Sequence, residues 1–146
     1  MSIPPELLIA YRRALYWVRT TPHILLRIDT ISEEARQLLE KYDADHAVLI
    51  TSDNPLSQLR SEPENAFHRE ELQQDVIQSQ CPFLLTASVD PSGQWPDEHG
   101  FLVFDLPLDQ THRLISKFEQ WAVVWLEKQG AVSLLKRRVE SLPESG

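Results

Sequence analysis

A chain of 146 residues has the length of one domain, and an apolar share of 42%, with four Trp, five Phe and three Tyr, is enough to pack a core. Fourteen Lys and Arg against 22 Asp and Glu leave a net charge of −8, a field that repels phosphate backbones and anionic lipid, so neither nucleic acid nor a membrane is an expected partner. No apolar run nears the ~18 residues of a membrane span, no basic-then-apolar leader opens the chain, and Cys81 is the only cysteine, so a cytoplasmic protein is expected.

Pro4 to Val18 opens on Pro-Pro-Glu and places Leu7, Leu8, Tyr11, Leu15 and Val18 at helical spacing, which predicts an N-terminal helix within residues 1–21. Thr20-Thr21-Pro22 breaks it, and His23 to Asp29 alternates as a strand with Ile24, Leu26 and Ile28 on one face. Ser32 reads as an N-cap before an acidic first turn, and Ala35, Leu38, Leu39 and Tyr42 continue the helix. Ala47 to Thr51 is a short apolar run, the mark of a central strand covered on both faces. Strand, helix and strand in this order suggest a parallel crossover unit.

Ser52 to Pro63 is a loop with two prolines, and a helix over Glu64 to Ser79 carries Asn65, Arg69, Leu72 and Val76 along one stripe. Phe83 to Val89 and Phe101 to Leu106 are strands, close enough across their connector to pair antiparallel. A helix from Asp109 or Gln110 turns Thr111, Leu114, Ile115 and Phe118 inward. Ala122 to Leu126 is strand-like, Gln129-Gly130 is a tight turn, and Val132 to Leu135 is a last strand. The tail over Ser141–Gly146, within residues 137–146, is expected to fray. The expected fold is a single α/β or α+β domain over 1–146, with helices on a mixed sheet of about five or six strands.

Chemistry concentrates at three polar junctions. Asp53-Asn54-Pro55 follows the Ala47–Thr51 strand, where ligands sit in open α/β sheets; the alternative is an Asn54 that only shapes its turn. Asn65, on the apolar stripe of the next helix, needs buried partners, and the Asn54 loop is the nearest supplier. Between Gly93 and Gly100 the chain reads Gly-Gln-Trp-Pro-Asp-Glu-His-Gly, a load far beyond what a connector requires. Trp95 beside Glu98 can desolvate the carboxyl and raise its pKa, which is how a general acid is made. Glu98 is therefore the one catalytic candidate, with a Trp lid over a solvated or Arg-paired Glu98 as the structural alternative. Gln120, between helix and strand, either bonds a neighbouring loop or merely ends its helix.

Asp97-Glu98-His99 offers three ligating side chains, but neighbours in sequence point apart and no His-x-x-x-His or Cys-x-x-Cys supports them. Gly-x-Ser-x-Gly and glycine-rich phosphate loops are lacking as well. No metal and no cofactor are expected.

The ordered set Leu-Ile-Thr-x-x-Asn-Pro (Leu49–Pro55), Asn65, Gly-x-Trp-x-x-Glu (Gly93–Glu98) and Phe-x-Gln-x-Ala (Phe118–Ala122) resembles an uncharacterised, mainly bacterial group, domain-of-unknown-function family 3293. The resemblance covers about residues 23 to 135 and implies a fold and a site, with no known activity. This chain departs from the family pattern in having Asp53 where an aromatic precedes Asn-Pro, and Glu119 and Trp121 around the glutamine.

The readings that follow are a domain binding a small molecule or nucleotide through Asn54, Asn65, Trp95, Glu98 and Gln120, with hydrolysis open, and a non-catalytic protein–protein interaction or regulatory module. Neither ligand, reaction nor oligomeric state is specified. Whether the polar residues share one concavity or only bond one another decides between a site and a structural network.

Overall fold

Capping and periodicity place the helices. In the computed structural model, which describes residues 2–138, the Ser32 hydroxyl accepts from the Ala35 N–H to start α2 (Glu33–Lys41), and Ser61 accepts from the Glu64 N–H to start α3 (Glu62–Gln78). Helices α1 (Pro5–Arg13) and α4 (Leu108–Lys117) complete the four. The strands are β1 (Leu15–Val18), β2 (Ile24–Leu26), β3 (Thr30–Ile31), β4 (His46–Thr51), β5 (Phe83–Val89), β6 (Glu98–Phe104), β7 (Ala122–Glu127) and β8 (Ala131–Lys136). The tail expected to fray over Ser141–Gly146 lies outside the described residues.

All eight strands form one sheet in the order β2-β1-β5-β6-β4-β7-β8-β3, every pair antiparallel. The expected mixed sheet of five or six strands is thereby corrected to an α+β fold with eight. The expected parallel crossover is also absent among the described residues: β4 lies between β6 and β7, far from β2. The N-terminal helix is shorter than expected, because Leu15-Tyr16-Trp17-Val18 pairs with β2 and β5 instead of continuing α1. β-Branched and aromatic side chains fit that pleated, half-buried position better than another helical turn.

Topology forces the sheet to curl. β2 and β3 are its opposite edges, about 33 Å apart if eight strands lay flat. Yet Leu26 and Thr30 are near neighbours in sequence, a reach of about 14 Å at full extension. The sheet therefore bends into a half-barrel. The inner face and α2 form one core, with Val18, Leu26, Leu39, Leu49, Phe104 and Leu126 buried. The outer face packs against α3 and α4 through Val48, Ile50, Leu72, Val76, Val103 and Ile115. β4 contributes to both cores, as its continuous apolar run predicts.

α1 buries none of its residues fully. It lies over one end of the inner face as a roof, and the space beneath it is not filled.

Candidate functional site

Strand register decides where the polar side chains point. Tyr16 pairs with Ser88, and Ser88 pairs with Glu98, which sets the three in one row across β1, β5 and β6 on the inner face. Glu98 is the first residue of β6, which begins earlier than the Phe101 start expected from the sequence. Its neighbour His99 faces outward, so Asp97-Glu98-His99 does not gather its side chains on one point. Gly100 makes the close approach to β4 possible, since a Cβ there would run into the Ile50 carbonyl.

Asn54 ties the junctions together. It takes a left-handed conformation (φ 48°, ψ 65°), which an Asn tolerates better than most residues. Its backbone N–H donates to Asn65 Oδ1 at 2.9 Å, and its own Oδ1 accepts from Asn65 Nδ2 at 3.0 Å and from the Arg60 N–H at 3.0 Å. The remaining group, Asn54 Nδ2, donates to Glu98 Oε2 at 2.8 Å. Trp95 Nε1 donates to the same oxygen at 3.1 Å. The Trp95 loop is itself pinned by Asp90, which accepts from the Ser92 N–H and hydroxyl and from the Trp95 N–H. Those bonds, the Ser92 N–H first, hold the Asp90 carboxyl below its ordinary range.

Asp53 belongs to the same corner but faces the other way. Only 2% of its side chain is exposed; Arg69 grips both of its oxygens, at 3.2 and 2.8 Å, and the His99 N–H donates to it at 2.9 Å. Gln120 Nε2 donates to the Asp53 carbonyl at 3.4 Å and to the Phe118 carbonyl at 3.1 Å. Phe118 is the C-cap of α4, and Gln120 both helps close that helix end, its N–H donating to the Ile115 carbonyl at 3.0 Å, and ties it to the neighbouring Asp53 loop.

Asn54, Trp95, Glu98 and Gln120 line a cavity of about 550 Å³ between α1 and the sheet; Asn65 stands behind Asn54, outside the lining. Leu7, Ala14, Leu49 and Val124 supply apolar wall, and Tyr11 and Tyr16 supply two rings. Burial pushes the Glu98 carboxyl up to about 7. The hydrogen bonds from Asn54 and Trp95 pull against that rise, and the charge of Asp53 adds to it. Burial also raises the Tyr11 phenol, with the Glu98 charge contributing, and raises Tyr16. Both phenols stay neutral across the physiological range. The site thus holds a half-buried carboxyl that exchanges a proton near neutrality, with Oε2 occupied by two neutral donors and Oε1 free of any hydrogen bond among the described residues.

Tyr11, Tyr16 and the Asp53–Arg69 pair are the participants that the sequence patterns conceal. Tyr11 reads as one more apolar-face residue of a helix. Arg69 stands on the Asn65–Leu72–Val76 stripe, a charged residue on a buried face, and that position is the signal that it has a buried partner.

Fold and site together define an α+β protein with a curled antiparallel sheet and a small, carboxyl-bearing cavity at one end of its inner face. A family model described as "Protein of unknown function (DUF3293)" matches residues 50–123, just over half of the chain, and the protein belongs to that family. The match takes in Asn54, Asn65, Trp95, Glu98 and Gln120, while α1 and β1 with the two tyrosines precede it. No curated protein matches the chain. No solved structure matches it either. Among the described residues no helix is long and apolar enough to cross a membrane.

Proposed function

We propose that this protein binds a small, largely apolar molecule in the cavity under α1, with Glu98 as the polar group that meets it. The observation that carries this reading is the half-used Glu98 carboxyl on a cavity wall. Two donors fix one oxygen in place and leave the other for whatever occupies the space. A few placed polar groups in a mostly apolar concavity, here at the mouth of a half-closed barrel, is the usual build of a ligand site. Asn65, whose side chain bonds Asn54 alone among the described residues, supports the site from behind.

The groups hydrogen-bonded to Glu98 are an amide and an indole, neither a nucleophile nor a base, and no hydrogen bond among the described residues activates the Ser88 hydroxyl across the strand pair. Binding with proton exchange therefore fits the arrangement better than covalent catalysis. Exposed apolar residues such as Ile31, Leu59 and Phe67 come from different elements of the fold, β3, the loop after β4 and α3, and none carries a polar group set for recognition as Glu98 does, which gives the protein-interaction reading less support. The lone Cys81 suits a cytoplasmic setting.

Ligand-observed NMR with a panel of amphipathic fragments tests the reading. Wild type should yield fragments that compete with one another, and Ala10→Trp, at an exposed helix position on the cavity rim, should lose them while unfolding at the same urea concentration as wild type. Fragments that bind both proteins equally, or none that binds wild type, would count against it.

A further inference from the structure

The structure also bears on the chemical class of the occupant, an inference that rests on the cavity being a binding site. Glu98 has no cationic partner among the described residues; its two hydrogen bonds come from the Asn54 amide and the Trp95 indole, which orient a carboxylate without neutralising it. Asp53, close enough to act on it, is already gripped by Arg69. A buried carboxylate with a free oxygen and no counter-ion carries an unpaid desolvation cost that a cationic ligand relieves.

The rest of the wall has the same bias. Glu6 and Asp90 join Glu98 on the lining, against Arg13 as the one basic side chain there among the described residues. Arg13 ends α1 at an exposed position, well placed to meet solvent. Tyr11, Tyr16 and Trp95 bring three aromatic rings to the same space, and an aromatic wall attracts an organic cation through its π faces. A phosphate or carboxylate would face these acids with no buried base to receive it, which sets a nucleotide aside.

We propose that the cavity takes a protonated amine on an apolar body, its ammonium group bonded to the free oxygen of Glu98 and flanked by the aromatic rings of Tyr11, Tyr16 and Trp95. Amide and indole donors on Oε2 then act as the positioning pair that aims Oε1 at the ammonium.

Calorimetric titration of the full chain with four probes tests this: phenethylamine, the near-isosteric neutral 2-phenylethanol, the anion phenylacetate, and adenosine monophosphate. Phenethylamine should bind wild type at least roughly tenfold more tightly than 2-phenylethanol, about one ion-pair hydrogen bond's worth of affinity. Phenylacetate and the nucleotide should bind more weakly still. In Glu98→Gln, which keeps the acceptor for Asn54 and Trp95, the gap between amine and alcohol should collapse. The wild-type ranking needs no variant, so it decides the matter even if Glu98→Gln fails to fold. If the alcohol or the anion binds wild type as tightly as the amine, the cation assignment is overturned and the cavity reading stands. If none of the four binds and the fragment panel is also empty, both are overturned.

Discussion

Two carboxyl groups stand at one corner of the sheet and meet opposite fates. Asp53 follows the end of β4 and turns outward toward α3, where a bidentate Arg69 and the His99 N–H use both oxygens. Glu98 starts the adjacent β6 and lines the cavity under α1, where two neutral donors share one oxygen and the other has no hydrogen-bond partner among the described residues. On the outer face the helix packs down and the polar group is fully paired. On the inner face the roof helix is held off and the polar group is left incomplete. Polar satisfaction is the default for a buried group, so the contrast separates the residue that holds the fold from the one that is free to do something else.

Removing the structural member should have the largest effect. Asp53→Ala leaves Arg69 facing an apolar gap and the His99 N–H without an acceptor, and should lower stability by about 3 kcal/mol. Urea unfolding measures it. Arg69 also lies 3.5 Å from Glu62, an exposed carboxylate that recovers little of the loss. A cost below about 1 kcal/mol, the scale of a surface pair, would place Asp53 in the same class as Glu98 and dissolve the contrast.

How far each carboxyl's fate is legible in the sequence follows from the range of the interactions. α2 and α3 are visible because caps and 3.6-residue spacing are local: Ser32 and Ser61 each act on a residue three positions on. β4 is visible because six residues suffice to show burial on two faces. β1 is hidden, since Leu15 and Val18 continue the spacing of Leu7, Leu8 and Tyr11, and only pairing with β5, about seventy residues away, overrules the helix. Strand direction is hidden for the same reason. The ordered quartet Asn54, Asn65, Trp95 and Glu98 is legible as a polar group because each residue is out of place where it stands. The cavity is not, for it is a volume that α1 leaves unfilled, and no single residue encodes an absence.

Glu98→Gln sharpens the comparison through pH. The folded protein holds the Glu98 proton up to about 7, against an ordinary carboxyl value of 4.5. Between those values the folded state binds more protons than the unfolded chain, so this group's contribution to stability is greatest below 4.5 and is lost as pH rises toward 7. The glutamine does not titrate. Relative to Glu98→Gln, wild type should therefore lose about 2 kcal/mol between acid and mildly alkaline conditions, a figure reduced from the full shift because the side chain opens on solvent through the cavity. Paired urea unfolding curves at both pH values check it, and a difference that stays constant would mean Glu98 is paired after all.

The smallest effect separates orientation from packing. Trp95→Phe keeps most of the ring and deletes the indole N–H that donates to Glu98 Oε2 at 3.1 Å. Stability should fall by about 1 kcal/mol, the net worth of a hydrogen bond to a charged group at a half-buried site. The more telling readout is the carboxyl itself. The Trp95 hydrogen bond favours the ionised form and so opposes the rise caused by burial. Without it, the Glu98 titration midpoint followed by carboxyl carbon chemical shift should move upward from about 7. Asn54 still holds the same oxygen in the variant, so the carboxyl stays in place while its proton affinity changes. An unmoved midpoint would make Trp95 a wall of the cavity and nothing more, and would leave Asn54 as the sole residue aiming Glu98 at the space beneath α1.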